Sequence, residues 1–313
     1  MNGDTLAFPF AGGLNNCQYG SIDLNMDGVK DLIVFDRHGD RLLTFINRNI
    51  QGTISYEFRP EFAKLFPPLD HWMELVDYNG DGKEDIFTYT TGGIKVFRNE
   101  SDTVLRFKQV SFPYLVSMQG TTLTNILVTY ADYPAIADID GDGDLDILTF
   151  WGLGSFVQFH RNMSEERYGT ADSLEFVLSS NCWGHFAEGV ESNAIQLDTC
   201  VSFDDVKLKD GDPKHTGSTL LAHDFSGDGV YDIAIGDVDY PGLISLTNGG
   251  TRDSAYMISQ TSQFPNVIHP VNLTSFPASC LIDVNNDGAK DLLVPPSTQA
   301  WCDRRPTIAA GCI

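Results

Sequence analysis

The residues best suited to chemistry are aspartates that recur in one spacing. Five segments carry it: DLNMDGVKD from Asp23, DYNGDGKED from Asp77, DIDGDGDLD from Asp138, DFSGDGVYD from Asp224 and DVNNDGAKD from Asp283. The shared core is D-x-[DNS]-x-D-G-x-x-D. A hard divalent cation takes about six to eight oxygen ligands, and a short loop can supply them when alternate side chains turn inward. Positions 1, 3, 5 and 9 offer carboxylates, amides or a hydroxyl, and position 7 offers a backbone carbonyl. Glycine at position 6 allows the sharp turn such a loop needs.

The candidate ligands follow from that spacing. The first loop offers Asp23, Asn25, Asp27 and Asp31, with the carbonyl of Val29. The second offers Asp77, Asn79, Asp81 and Asp85, with Lys83, and the third Asp138, Asp140, Asp142 and Asp146, with Asp144. The fourth offers Asp224, Ser226, Asp228 and Asp232, with Val230, and the fifth Asp283, Asn285, Asp287 and Asp291, with Ala289. No cysteine or histidine stands at a ligand position, which disfavours zinc and copper. Magnesium prefers fewer protein ligands and keeps its waters, so up to five Ca2+ ions are expected. Serine at position 3 makes the fourth loop the weakest, and four ligand aspartates make the third a strong one unless crowding of charge offsets the gain. Plain Asp-Gly turns without metal would use the same residue types. Yet the ligand positions hold 16 aspartates, which repel one another without a screening cation. An EF-hand would place a bidentate acid at position 12. That position holds Val34, Thr88, Thr149, Ile235 and Val294, none of which ligates such an ion through its side chain.

The first aspartates lie 54, 61, 86 and 59 residues apart, a period suited to a four-stranded propeller blade. After each of the first four loops comes an apolar run, a turn, and a second run ending in Asn47, Asn99, Asn162 or Asn248. The run directly after each loop (DLIVF, DIFTY, DILTF, DIAIG, DLLV) is apolar with almost no alternation, as in a strand covered on both faces. Each unit reads strand, loop, strand, turn, strand, strand. The expected fold is an all-β propeller of four-stranded antiparallel blades, a fragment or partial ring of a larger propeller. The blades fall at residues 17–69, 70–113, 131–180 and 217–265, with an incomplete fifth at 277–313. Residues 1–16 read as the end of a preceding blade or a closing strand. Residues 181–216 read as an insertion.

Composition bounds the function. Apolar residues make up 42% of 313, which is globular, and a formal charge of −23 repels phosphate backbones and disfavours nucleic acid. Five Ca2+ ions would bring that charge to −13. No apolar stretch is long enough to span a membrane, and residues 1–6 do not read as a secretory leader. Of six cysteines, Cys182 and Cys200 in the insertion form the best candidate pair, with six free thiols as the alternative. Neither G-x-S-x-G, H-E-x-x-H nor a P-loop occurs, and the seven histidines are scattered, so no catalytic residue is assigned. Trp72, Trp151, Trp183 and Trp301 could form a sugar-binding shelf, although packing between blades is favoured; Trp183 is the one least expected in a core.

The loops and their spacing resemble the FG-GAP and VCBS-type repeat families, including the calcium-bearing blades of integrin α-subunit propellers. FAGGLNNCQYGSIDLNMDG, from Phe10, resembles surface proteins of Bacteroidetes-type bacteria. The resemblance implies a propeller with calcium loops between the first two strands of each blade, and ligands held by loops on the opposite face. It implies an extracellular or cell-surface module that binds a protein or a glycan. A calcium-dependent polysaccharide lyase or hydrolase, or a structural spacer in a longer secreted chain, is the alternative.

Overall fold

The computed structural model describes residues 14–152, 156–189, 194–200, 217–238, 240–273 and 276–295. Short β-rich runs bounded by Gly, Asn and Asp fold into hairpins, and the hairpins into sheets. The first blade comprises β1 (Cys17–Ile22), β2 (Asp31–Asp36), β3 (Arg41–Asn47) and β4 (Tyr56–Phe58). The second comprises β5 (Met73–Val76), β6 (Asp85–Thr90), β7 (Gly93–Asn99) and β8 (Phe107–Gln109). A hairpin of β9 (Val116–Gln119) and β10 (Thr122–Asn125) comes next. The third blade has β11 (Ala135–Ala137), β12 (Asp146–Phe150), β13 (Val157–Asn162) and β14 (Phe176–Ser180), with the short helix α1 (Ser164–Tyr168) between its last two strands. A second hairpin, β15 (Phe186–Glu188) and β16 (Ile195–Leu197), lies in the insertion. The fourth blade has β17 (Ser218–His223), β18 (Asp232–Asp237), β19 (Leu243–Asn248) and β20 (Met257–Thr261). The fifth shows β21 (Cys280–Ile282) and β22 (Asp291–Leu293).

Within each blade, neighbouring strands pair antiparallel in sequence order. The second strands are the most buried: β12 and β18 are buried at every residue, as expected for strands packed on both faces. Apolar clusters join blade to blade. Ile33, Phe35, Met73 and Ile86 link the first two blades, Phe87, Val96, Ile136 and Ile147 the next two, and Leu148, Phe159, Ile233 and Leu246 the third and fourth. Ala234, Leu243 and Phe264 pack with Leu292 and Val294, which joins the fourth to the fifth.

The ring returns on itself. Strand β21 borders β1, Asn47 Nδ2 donates to Asn286 Oδ1 at 2.7 Å, and Thr53 N donates to the Asn285 carbonyl at 3.0 Å. The inner strands of all five blades enclose one axial channel of about 250 Å³, lined by Gly20, Glu74, Ile136, Leu221 and Cys280 among others. The expected closing strand within residues 1–16 falls mostly outside the described residues.

Two parts differ from the sequence reading. The β9–β10 hairpin was not expected. It extends the third blade through parallel pairing of β9 with β14, and the chain around it places Leu115, Ile126 and Val128 in the core beside the second blade. Trp183 was the tryptophan least expected in a core, yet it is 4% exposed and packs with Phe186, Ile195 and Met257 between the third and fourth blades. The insertion is a wedge here: Gly184 bridges Tyr256, Met257 N donates to the Gly184 carbonyl at 2.8 Å, and a Cys182–Cys200 disulfide closes its base. Cys17 is buried and Cys280 is half-buried as a thiol; Cys302, Cys312 and Trp301 lie outside the described residues.

Glu74 faces the channel, where loss of hydration pushes its carboxyl up to about 8 despite a hydrogen bond from the Ile136 backbone. In the unfolded chain it ionises near 4.5. Its penalty is therefore absent below that pH, grows as pH rises, and is complete above about 8. Glu74→Gln is expected to raise the stability at pH 9 by about 2 kcal/mol, discounted for the water such a channel admits, and to change little at pH 4. Urea unfolding at the two pH values checks this; an equal effect at both would contradict it.

Candidate metal centre

Each loop is built on its last aspartate. Asp31, Asp85, Asp146 and Asp232 begin the second strand of their blades and are at most 1% exposed. One oxygen of each accepts the amide of the asparagine that ends the third strand, at 2.7 Å from Asn47 and Asn99 and 2.8 Å from Asn162 and Asn248. The other accepts an amide near the start of the loop: Leu24, Tyr78 and Ile139 at 2.9–3.1 Å, and Ser226 at 2.8 Å. Asp291 does the same for Val284 at 3.1 Å. This explains the recurring asparagine in the sequence. Its amide nitrogen returns to the residue before the aspartate, reaching the carbonyls of Lys30, Glu84 and Tyr231. Asn99 and Asn162, which also fit a glycosylation triplet, are buried by this role.

The first aspartate shapes the tip. Asp23, Asp77, Asp224 and Asp283 each accept the amide of the position-6 glycine, at 2.7–2.9 Å. Those glycines have positive φ, from 83° at Gly28 to 92° at Gly288. Lys83 sends its ammonium to the Ser101 carbonyl, so toward the loop it offers only backbone. The loops also touch along the rim: Lys30 donates to Glu84 at 2.5 Å, and Arg252 Nε to the Gly229 carbonyl at 2.9 Å.

The third loop gathers its carboxylates most closely. Asp138, Asp140 and Asp146 place ligand oxygens within 4.8 Å of one another. Among the described residues, no other predicted loop brings three carboxylates that close. Elsewhere position 3 is an amide or hydroxyl, and the aspartates fold over backbone amides: Asp27 N donates to Asp23 Oδ1 at 3.1 Å, and Asp81 N to Asp77 Oδ1 at 3.2 Å. Ser226 in the fourth loop donates to Asp224 Oδ1 at 3.3 Å.

Burial in this arrangement raises several carboxyls. Asp31, Asp85 and Asp140 are pushed up to about 6 by lost hydration, with neighbouring loop aspartates adding to the rise. Asp146 rises to about 9, from burial first and the charge of Asp140 next. Crowded, desolvated carboxylates are what a cation would relieve, and the donor set is oxygen throughout, so the residues fit a hard divalent ion. Sequence reasoning missed Arg161 on β13. Its Nε lies 2.7 Å from Asp140 Oδ2, and its Nη2 3.1 Å from Asp253, so the third loop has a partial counter-charge of its own.

One family comparison agrees with this architecture. Residues 77–149, from the second loop to the end of the third, match the FG-GAP-like repeat family. The chain is a repeat propeller. No curated protein matches it. Among solved structures, it is similar to an Agrocybe aegerita lectin described as specifically recognising non-reducing terminal N-acetylglucosamine, at 16% identity and a TM-score of 0.41, over 92% of this chain and 77% of that one. It is also similar to the Photorhabdus luminescens Tc holotoxin pore, at 14% identity and a TM-score of 0.39, over 90% of this chain. The chain spans 13% of the length of that toxin chain. No helix among the described residues is long and apolar enough to cross a membrane.

Proposed function

We propose that this propeller is a calcium-stabilised recognition module that works outside the cell and binds a protein or a glycan on the face opposite its acidic loops. The observation that carries this reading is the separation of the two faces. All five loops leave the inner strands at one rim. At the other end lie the β2–β3 turn and the segments entering β5, β11 and β21, and these are rich in aromatic groups. His71 packs edge-on to Tyr89 at 4.8 Å and against Tyr130 at 5.6 Å, with Tyr130 55% exposed. Beside them the Arg37 guanidinium lies 4.6 Å from the Tyr133 ring and 5.9 Å from that of Phe276. The exposed Tyr130 ring, beside hydrogen-bonding groups and over buried Tyr133 and Phe276, suits a sugar face or a peptide side chain. The disulfide in the insertion favours an oxidising compartment. Calcium supports the face by tying the far ends of the same strands.

Glycan and protein arrays probed with the wild type and with Tyr130→Ala test the assignment of the face. A ligand whose binding is lost in Tyr130→Ala, with the melting temperature kept, is the expected result. Binding that survives Tyr130→Ala but is abolished by substitutions at the loop tips would place recognition on the acidic rim instead.

A further inference from the structure

The inner strands differ from one another at one level of the axial channel. Each pairs its last residue with the aspartate that ends the loop, and two residues earlier stand Gly20, Glu74, Ala135, Leu221 and Cys280. Four of these are small or apolar, and only the second blade puts a charge there. Among the described residues that line the channel, Glu74 is the only acid.

Its carboxyl is short of partners. It accepts the Ile136 amide, and no charged neighbour of either sign bears on its ionisation. A carboxylate has room for about four donors. The buried aspartates of the loops each accept two amides, as Asp85 does from Asn99 and Tyr78. Glu74 faces a void of about 250 Å³ instead. Cys280, two blades away round the ring, feels its charge. The walls are tied blade to blade, so they hold their distance. Met73 N donates to Gln18 Oε1 at 2.9 Å, Leu220 N to the Tyr133 carbonyl at 3.1 Å, and Thr219 Oγ1 to the Pro277 carbonyl at 2.9 Å. An enclosed carboxylate without a counter-charge is disfavoured until a cation reaches it.

We propose that the axial channel binds a small organic cation, a primary ammonium set against Glu74 with its carbon chain along Trp72, Tyr133 and Ala278. Those three line the channel one step nearer the aromatic end, in register with Gln18 and Thr219. A divalent metal would need about six or more oxygen ligands, and the lining supplies one carboxylate. A neutral alcohol would leave the charge of Glu74 uncompensated. The formal charge of −23 draws cations toward the molecule. Lys290 and His223 line the channel at the acidic rim, so the ammonium enters from the other end, past the aromatic rings. The site is separate from the face at Tyr130 and from the calcium loops, and it does not rest on either reading. A free amine and a lysine side chain share this chemistry.

Isothermal titration calorimetry of the full chain, in calcium and an amine-free buffer, tests it with butylamine, 1-butanol and Nα-acetyl-lysine methylamide. The expected result is one butylamine per chain with a dissociation constant of about 1 mM, and no binding of 1-butanol. Glu74→Gln should weaken butylamine by about tenfold or more without lowering the melting temperature. Nα-acetyl-lysine methylamide binding as tightly as butylamine assigns the site to a lysine side chain, and its failure beside a binding butylamine assigns it to free amines. Equal affinity for butylamine and 1-butanol in the wild type overturns the proposal without need of a variant. Equal affinity of wild type and Glu74→Gln for butylamine, or no binding of either amine, overturns it too. None of these outcomes touches the recognition face or the calcium loops.

Discussion

Removing calcium with EGTA is expected to lower the melting temperature by about 10–15 °C. An ion that binds only the folded chain stabilises it by about 2.7 kcal/mol when its free concentration is a hundred times the dissociation constant. Three such loops would supply roughly 8 kcal/mol, and a chain of this size shifts by about 2 °C or less per kcal/mol. The physical source is the crowding described above. Asp138, Asp140 and Asp146 hold their oxygens within 4.8 Å, and burial drives Asp146 up to about 9. Returning calcium should restore the transition, whereas magnesium, which keeps more of its own water, should restore less. Differential scanning calorimetry with and without each ion checks the result. An unchanged transition would mean that the loops are held by their internal hydrogen bonds alone.

Those internal bonds lead to the second large effect. Asp85→Ala should destabilise the protein by about 3–4 kcal/mol, and should do so in EGTA as well as in calcium. Asp85 is 0% exposed, accepts Asn99 N at 2.7 Å and Tyr78 N at 3.1 Å, and has no substitute for either. Removing it strands two buried amides and uncouples the loop from the third strand. Asp81 stands in contrast. It is exposed, and its Oδ1 accepts only the nearby Lys83 amide, which an asparagine oxygen can also do. Asp81→Asn should therefore matter in calcium and hardly at all in EGTA. Urea titrations of both variants in both buffers separate the scaffold role of position 9 from the ligand role of position 5. Equal losses for Asp81→Asn in the two buffers would argue against a ligand there.

The sequence made the propeller legible because its signals are local. Aspartate spacing, Asp-Gly turns and uninterrupted apolar runs each lie within one blade, and the Cys182–Cys200 pair lies within one insertion. The features that escaped depend on residues far apart in the chain. The β9–β10 hairpin, SMQGTTLTN in sequence, alternates weakly and gains its place only by pairing with β14 some sixty residues on. Trp183 sits in a stretch that reads as an irregular loop, and only packing against Met257 and Phe186 makes it core. Ring closure depends on β1 meeting β21, more than 250 positions later. At the third loop the motif gave Asp138, Asp140, Asp142 and Asp146, but not Arg161 or Glu166, which arrive from a different strand and from α1. The asparagines at the strand ends were visible as a pattern; their purpose as partners of the buried aspartates was not.

The closed ring fixes where its first and last described strands meet the two rims. Strand β1 runs toward the acidic rim, and β22 runs back from it, so Cys17 and Leu293 both lie on the aromatic side, in adjoining blades. The acidic rim thus lies at the opposite end of the molecule from both of these strand ends.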